Sequence, residues 1–142
     1  MNGINTRKVL SAGALAALAM LVVDMGLNGF LLSDRWDEAM ARLQLPPFTE
    51  GSTLGAVIFF GGELLMGWLL AFTYAAFRPR FGAGPRTALL VGLVIWFPGL
   101  VIFASLAAMG VFTWPMIGVS MLPSLAVALV GSYVAGRFYS EA

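Results

Sequence analysis

The chain has no cysteine and no histidine, and only 11% of its 142 residues are charged. Without cysteine there is no disulfide framework, thiol nucleophile or thiolate metal site. Without histidine there is no His-based triad, imidazole metal ligand or bis-His haem. Any metal would have to be held by carboxylates and carbonyls, and two acids inside the apolar segments are too few for a dedicated site. Intramembrane aspartyl chemistry would need two facing acids, and the motifs expected around such a pair are missing. The expectation is therefore a protein that is not an enzyme and has no cofactor. With a net charge of +1 and no basic patch beyond short loops, no nucleic-acid partner is expected either.

Apolar residues are what the chain has in abundance. They make up 60% of it, and the mean hydropathy is +0.90. Soluble domains are about 45–50% apolar and about 25% charged. A globule of this size could not hide so much apolar surface in one core. The composition points to a chain embedded in lipid.

Hydrocarbon about 30 Å thick needs roughly 20 residues of apolar helix. Four segments qualify, at about 9–32, 53–77, 87–109 and 113–138. Each is too long for a barrel strand, and none alternates. The first follows Arg7-Lys8 like a signal peptide, but its apolar run is too long for one, and it is read as a retained helix. The fold expected is all-α: a single membrane domain built as a four-transmembrane-helix bundle. Basic residues set its orientation. Arg7, Lys8, Arg78, Arg80, Arg86 and Arg137 fall on one side, against Arg35 and Arg42 on the other. By the positive-inside rule both termini are cytoplasmic, as in a multi-pass protein of a bacterial inner membrane. Trp36 and Trp114 then fall at the outer interface, and Tyr74, Phe77, Phe81 and Tyr139 at the inner one.

The loops carry their own signals. Ser33-Asp34-Arg35-Trp36 reads as an N-cap followed by a first turn with an acid. Trp36, Ala39, Met40 and Leu43 recur at i, i+3, i+4 and i+7, an apolar stripe on a short amphipathic helix over about 34–44 that ends before Pro46-Pro47. That helix is expected to lie on the outer surface. Arg78 to Arg86 reads as a Pro/Gly turn whose three arginines, Arg78, Arg80 and Arg86, are candidate contacts for anionic lipid headgroups at the cytoplasmic face. Gly84-Pro85 suits the start of the third span. A short turn around Gly110 makes the last two spans a tight hairpin.

Asp24 and Glu63 are the only ionisable residues well inside the spans. An acid there costs about 2.5–3.5 kcal/mol on insertion scales and needs a partner or a proton. At 1.5 Å per residue both sit roughly 12–15 Å below the outer ends of their helices. Steps of four place Glu63 with Gly55, Phe59, Gly67, Ala71 and Ala75, and Asp24 with Asn28. The fourth span carries the ladder Ser120, Ser124, Ala128, Ser132 and Gly136. Small faces seek other helices, so the acids, the amide and the serines are expected to look inward. Pro98 and Pro123, candidate kinks, free the carbonyls of Val94 and Val119 in the same layer. Ser120 and Ser124 are nearby donors for them. The candidate intramembrane polar site is thus Asp24, Asn28, Glu63, Ser120 and Ser124. It is either polar glue between helices or a site for a proton, a cation or an amine.

Asn28-Gly29 running into Trp36…Met40, then Pro46-Pro47, then Arg78-Pro-Arg-Phe-Gly-Ala-Gly-Pro-Arg-Thr-Ala88, together resemble a group of small, uncharacterised bacterial four-helix inner-membrane proteins. The resemblance implies location and topology and carries no catalytic residues. The expected function is that of an interaction or accessory subunit, or of a small oligomeric membrane protein. Its partners are the bilayer and other membrane subunits or further copies of itself. The alternative is a small transporter or channel working through Asp24 and Glu63.

Overall fold

The computed structural model describes residues 4–47 and 50–140. Among them there is helix and no strand. The order is α1 (Thr6–Asp24), a π-helical segment (Met25–Leu31), α2 (Ser33–Arg42), α3 (Thr53–Phe81), α4 (Pro85–Ala108) and α5 (Trp114–Phe138). Four stretches, Thr6–Leu31, Thr53–Phe81, Pro85–Ala108 and Trp114–Phe138, are long and apolar enough to cross a membrane. Both ends of the described chain and the α3–α4 turn lie at one end of the bundle, called here the terminal end. The short helix lies at the other, called the α2 end.

Local chemistry explains most boundaries. Asn5 caps α1, its side chain accepting from the Lys8 N–H at 3.2 Å. Ser52 caps α3 by accepting from the Gly55 N–H at 3.0 Å. α4 starts at Gly84-Pro85 as the sequence predicts, with proline at its first position. Two readings change. Ser33 is the first helical residue of α2, not its cap, and its hydroxyl donates to the Phe30 carbonyl at 3.3 Å. The loop expected from Arg78 to Arg86 is mostly helix, because α3 runs through Pro79 to Phe81. Proline in a last turn removes only one ladder bond. The helix end is held instead by Thr87, whose hydroxyl donates to the Phe81 and Gly82 carbonyls at 3.2 and 2.8 Å, and by Tyr74, whose hydroxyl accepts from the Gly84 N–H at 3.0 Å. The turn shrinks to Gly82-Ala83-Gly84.

The helices pack in a fixed pattern. α1 lies against α3 and α5, and α4 lies against α5 and α3. At the terminal end all four meet. Val9, Ala12, Ala16 and Met20 of α1 close a core with Leu70, Ala71, Tyr74 and Ala75 of α3, Ala88 and Val91 of α4, and Val127 and Ala135 of α5. Small residues let the backbones approach. A Cβ on Gly67 would press on the Gly13 carbonyl and come within 2.8 Å of the Ala17 nitrogen, and one on Gly92 would meet Ser132 Oγ at 2.6 Å. The Trp68 indole N–H donates across the α1–α3 contact to the Leu10 carbonyl at 3.2 Å, and the Asn5 N–H donates to Tyr139 Oη at 3.3 Å.

The α2 end is built differently. A second, smaller core joins only α4 and α5, with Ala107, Ile117 and Met121 packed among Trp96, Leu100, Phe103 and Phe112. Phe103 and Phe112 stack with centroids 5.9 Å apart. The first half of α3 takes no part in it. From Thr53 to Met66 every residue of α3 except Glu63 is exposed on the chain's own surface.

Candidate functional site

Asp24 is the last residue of α1, and the helix widens immediately after it. In the π-helical turn each N–H reaches back five residues, as Leu32 does to the Leu27 carbonyl at 2.9 Å. Such segments are rare and often sit at functional sites. Here the wide turn carries Asn28, whose amide donates to Asp24 Oδ1 at 2.7 Å. The Trp36 indole N–H then donates to Asn28 Oδ1 at 3.1 Å. A string of side chains therefore runs from α2 through the amide to the carboxyl group of Asp24. Sequence reading placed Trp36 at the interface and missed this bond. Its only signal was the eight-residue spacing from Asn28, which means nothing until the wide turn is known.

Glu63 projects from α3 within electrostatic reach of Asp24. Its Oε2 is shielded from solvent and has no hydrogen-bond partner. Glu63 also marks a junction along its helix. On the face reached by steps of four, Gly67, Ala71 and Ala75 are buried, whereas Gly55 and Phe59 are exposed.

The serines belong to a different seam. Ser120 Oγ donates to the Met116 and Ile117 carbonyls at 2.9 and 3.2 Å, and Ser124 Oγ donates to the Met121 carbonyl at 3.0 Å. All three bonds turn back onto α5 itself, a habit of serine within helices. Ser124 also accepts from the Trp96 indole at 3.0 Å, and the same N–H is shared with the Met121 carbonyl at 3.2 Å. The serines thus serve carbonyls other than those freed by Pro98 and Pro123. No hydrogen bond links them to Asp24, Asn28 or Glu63. α4 and α5 run on through Pro98 and Pro123.

Of the three arginines near the α3–α4 turn, Arg78 lies in the last turn of α3 with its guanidinium 5.9 Å from the centroid of the Tyr139 ring, while Arg80 and Arg86 are exposed. At the α2 end, Arg35, Glu38 and Arg42 form one wall of a cleft of about 120 Å³, facing the α4–α5 turn. The sequence reading followed the apolar stripe of α2 and passed over this i, i+3, i+7 row.

Chemically, the acidic layer is rich in acceptors and poor in donors. Among the described residues no three Asp or Glu side chains come together. Asp24 has one oxygen engaged by Asn28, and Glu63, within electrostatic reach of it, has Oε2 left open. No family model, no curated protein and no solved structure matches the chain.

Proposed function

We propose that the chain is a non-enzymatic integral membrane protein that acts as a subunit, joining either further copies of itself or a larger membrane assembly. The observation that carries this reading is the small face of α3. It is covered by the chain's own helices from Gly67 to Ala75 and uncovered from Gly55 to Phe59, with the open oxygen of Glu63 at the junction. Helices in lipid associate through small residues and through polar groups that find partners across the contact. A Cβ on Gly62, seven residues from Gly55 and so on the same side of α3, would meet nothing within 4 Å in the chain itself. A helix from another copy or another subunit would supply both the packing and a donor for Glu63.

The setting proposed with it is a bacterial inner membrane with both termini cytoplasmic, in keeping with the family resemblance and the arginine distribution. In that orientation α2 lies at the outer interface, and Arg80 and Arg86 meet anionic headgroups on the cytoplasmic side.

The lack of native cysteine makes a clean test possible. Single cysteines at Gly62 and, as a control, at the exposed Leu89 of α4 are oxidised in native membranes. The subunit reading expects a discrete cross-linked species at position 62 and none at 89. A monomer at both positions, with a lone monomeric particle in mild detergent, overturns it.

A second reading is a small transporter or channel for a proton, cation or amine. It is supported by two acids within electrostatic reach of each other, Asp24 and Glu63, with no Lys or Arg in residues 9–34, 51–77 or 87–136 to neutralise them. Under that reading Glu63→Gln or Asp24→Asn abolishes a flux signal in proteoliposomes and leaves expression intact. Under the subunit reading Glu63→Gln weakens the cross-link and there is no flux to lose.

A further inference from the structure

The cleft at the α2 end has two walls of opposite character. One is the face of α2 that carries Arg35, Glu38 and Arg42. The other is the start of α5 and the turn before it, where Phe112, Pro115, Met116 and Val119 are apolar. The charged wall is not neutralised from within. Arg35 reaches Glu38 at 3.6 Å in a pair whose side chains are 65% and 61% exposed, so solvent weakens it. Among the described residues no ion pair or hydrogen bond engages Arg42. The other acids of α2, Asp34 and Asp37, do not line the cleft.

Position supplies the second half of the argument. α5 is one of the four helices able to span a membrane, and Pro115, Met116 and Val119 lie in its first two turns. The apolar wall therefore belongs to a helix able to span lipid, while the arginine wall faces it across the cleft from the short helix α2. Trp114, exposed beside the cleft, is a residue type that favours this depth. The space, about 120 Å³, is well below the roughly 300–1,000 Å³ of pockets that enclose whole drug-sized ligands. It admits a small anionic group and the first atoms of a chain leaving it. Guanidinium groups pair with phosphate through two parallel N–H donors, which gives arginine its preference for that anion.

We infer that this cleft binds an anionic phospholipid, one whose headgroup carries no compensating ammonium, its phosphate between Arg42 and Arg35 and one acyl chain descending along Met116 and Val119. The inference rests on the membrane setting of the four spans and is independent of the subunit reading, which a wholly monomeric protein would overturn without touching this site.

The test uses the full chain in nanodiscs doped with a photoreactive phosphatidylglycerol bearing a diazirine near the start of one acyl chain. Adducts are mapped by peptide mass spectrometry. The expected adduct lies within residues 115–119 and exceeds that of the matching phosphatidylcholine probe. Arg42→Gln lowers it about tenfold, the equivalent of one charge-assisted contact. Val119→Trp, which fills the apolar wall and keeps both arginines, lowers it too, and Arg7→Gln, exposed at the terminal end, leaves it unchanged. Circular dichroism of each variant verifies the helical fold. Equal labelling by the two probes, or full labelling in Arg42→Gln, overturns the inference. Inorganic phosphate at 10-fold excess distinguishes the sources: no competition supports a lipid, and complete competition assigns the site to a free anion and overturns the lipid.

Discussion

The two ends of this bundle use the same residue type for opposite purposes. At the terminal end Gly13, Gly67, Gly92, Gly131 and Gly136 each sit against another helix, so closely that an added Cβ would collide. Toward the α2 end Gly61, Gly62, Gly99 and Gly118 face open space. The first set is a folding device consumed within the chain. The second set has no packing partner inside the chain, and two of its members, Gly61 and Gly62, immediately precede Glu63, whose Oε2 is shielded and, among the described residues, without a partner. Glycine in a helix costs about 1 kcal/mol relative to alanine. That cost is offset at the terminal end by packing visible in this chain, and at the α2 end by nothing visible in this chain. The contrast is the physical content of the subunit proposal.

The sharpest way to break the comparison is to fill one glycine of each set. Gly67→Leu should destabilise by about 3 kcal/mol, the upper end for overpacking, because its neighbours are backbone atoms of α1 that cannot turn aside. Gly62→Leu should stay within about 0.5 kcal/mol in the isolated chain. Thermal unfolding in micelles followed by circular dichroism compares them, and equal losses would erase the distinction between the ends. Next in size is Asn28→Leu, which strips partners from both the Asp24 carboxyl and the Trp36 indole. A loss of about 1–3 kcal/mol is expected, with blue-shifted or broadened Trp36 fluorescence as the local readout. Trp96→Phe removes one donor shared between Met121 and Ser124. It should cost about 0.6–1.7 kcal/mol, the range for hydrogen bonds between helices in lipid. The smallest effect belongs to Glu63→Gln. With no bond to Oε2 to lose, the isolated chain should change by less than about 0.5 kcal/mol, so a large drop in the same melts would reveal a partner not seen in the chain alone.

The spans were legible because length and hydropathy alone decide whether a helix can cross lipid, and the four runs of the sequence correspond to the four long helices. Pro79 falls in a segment whose Pro/Gly content reads as a turn, while the bonds that hold the end of α3 come from the side chains of Thr87 and Tyr74, whose partners composition does not reveal. The Asp24–Asn28 bond was legible from i, i+4 spacing. The π-helical turn around it was not, since no pattern of apolar residues distinguishes one extra residue per turn. Ser120 and Ser124 share a ladder with the small residues of α5, but a ladder names a face and not what it faces. Their face turns to Trp96 of α4, and the acids belong to α1 and α3. The arginine row of α2 was legible in spacing and obscured by the stronger apolar stripe beside it.

The wide turn at Met25–Leu31 also has a consequence for how the sequence can change. An α-helix advances about 100° per residue, so losing one residue from a spanning helix normally rotates everything beyond it out of register. A π-helical segment already holds surplus chain. Deleting Gly26 or Gly29, neither of which touches another part of the molecule through a Cβ position, would let the segment tighten to ordinary α-helix and leave α1 below it undisturbed. Because the surplus residue absorbs the change, α2 would stay close to its bearing, with Trp36 still turned toward Asn28 and the arginine row toward the α4–α5 turn, whereas a deletion within α1 itself would rotate both away. The segment is in effect a length reserve that protects the orientation of the short helix against the loss of a single codon.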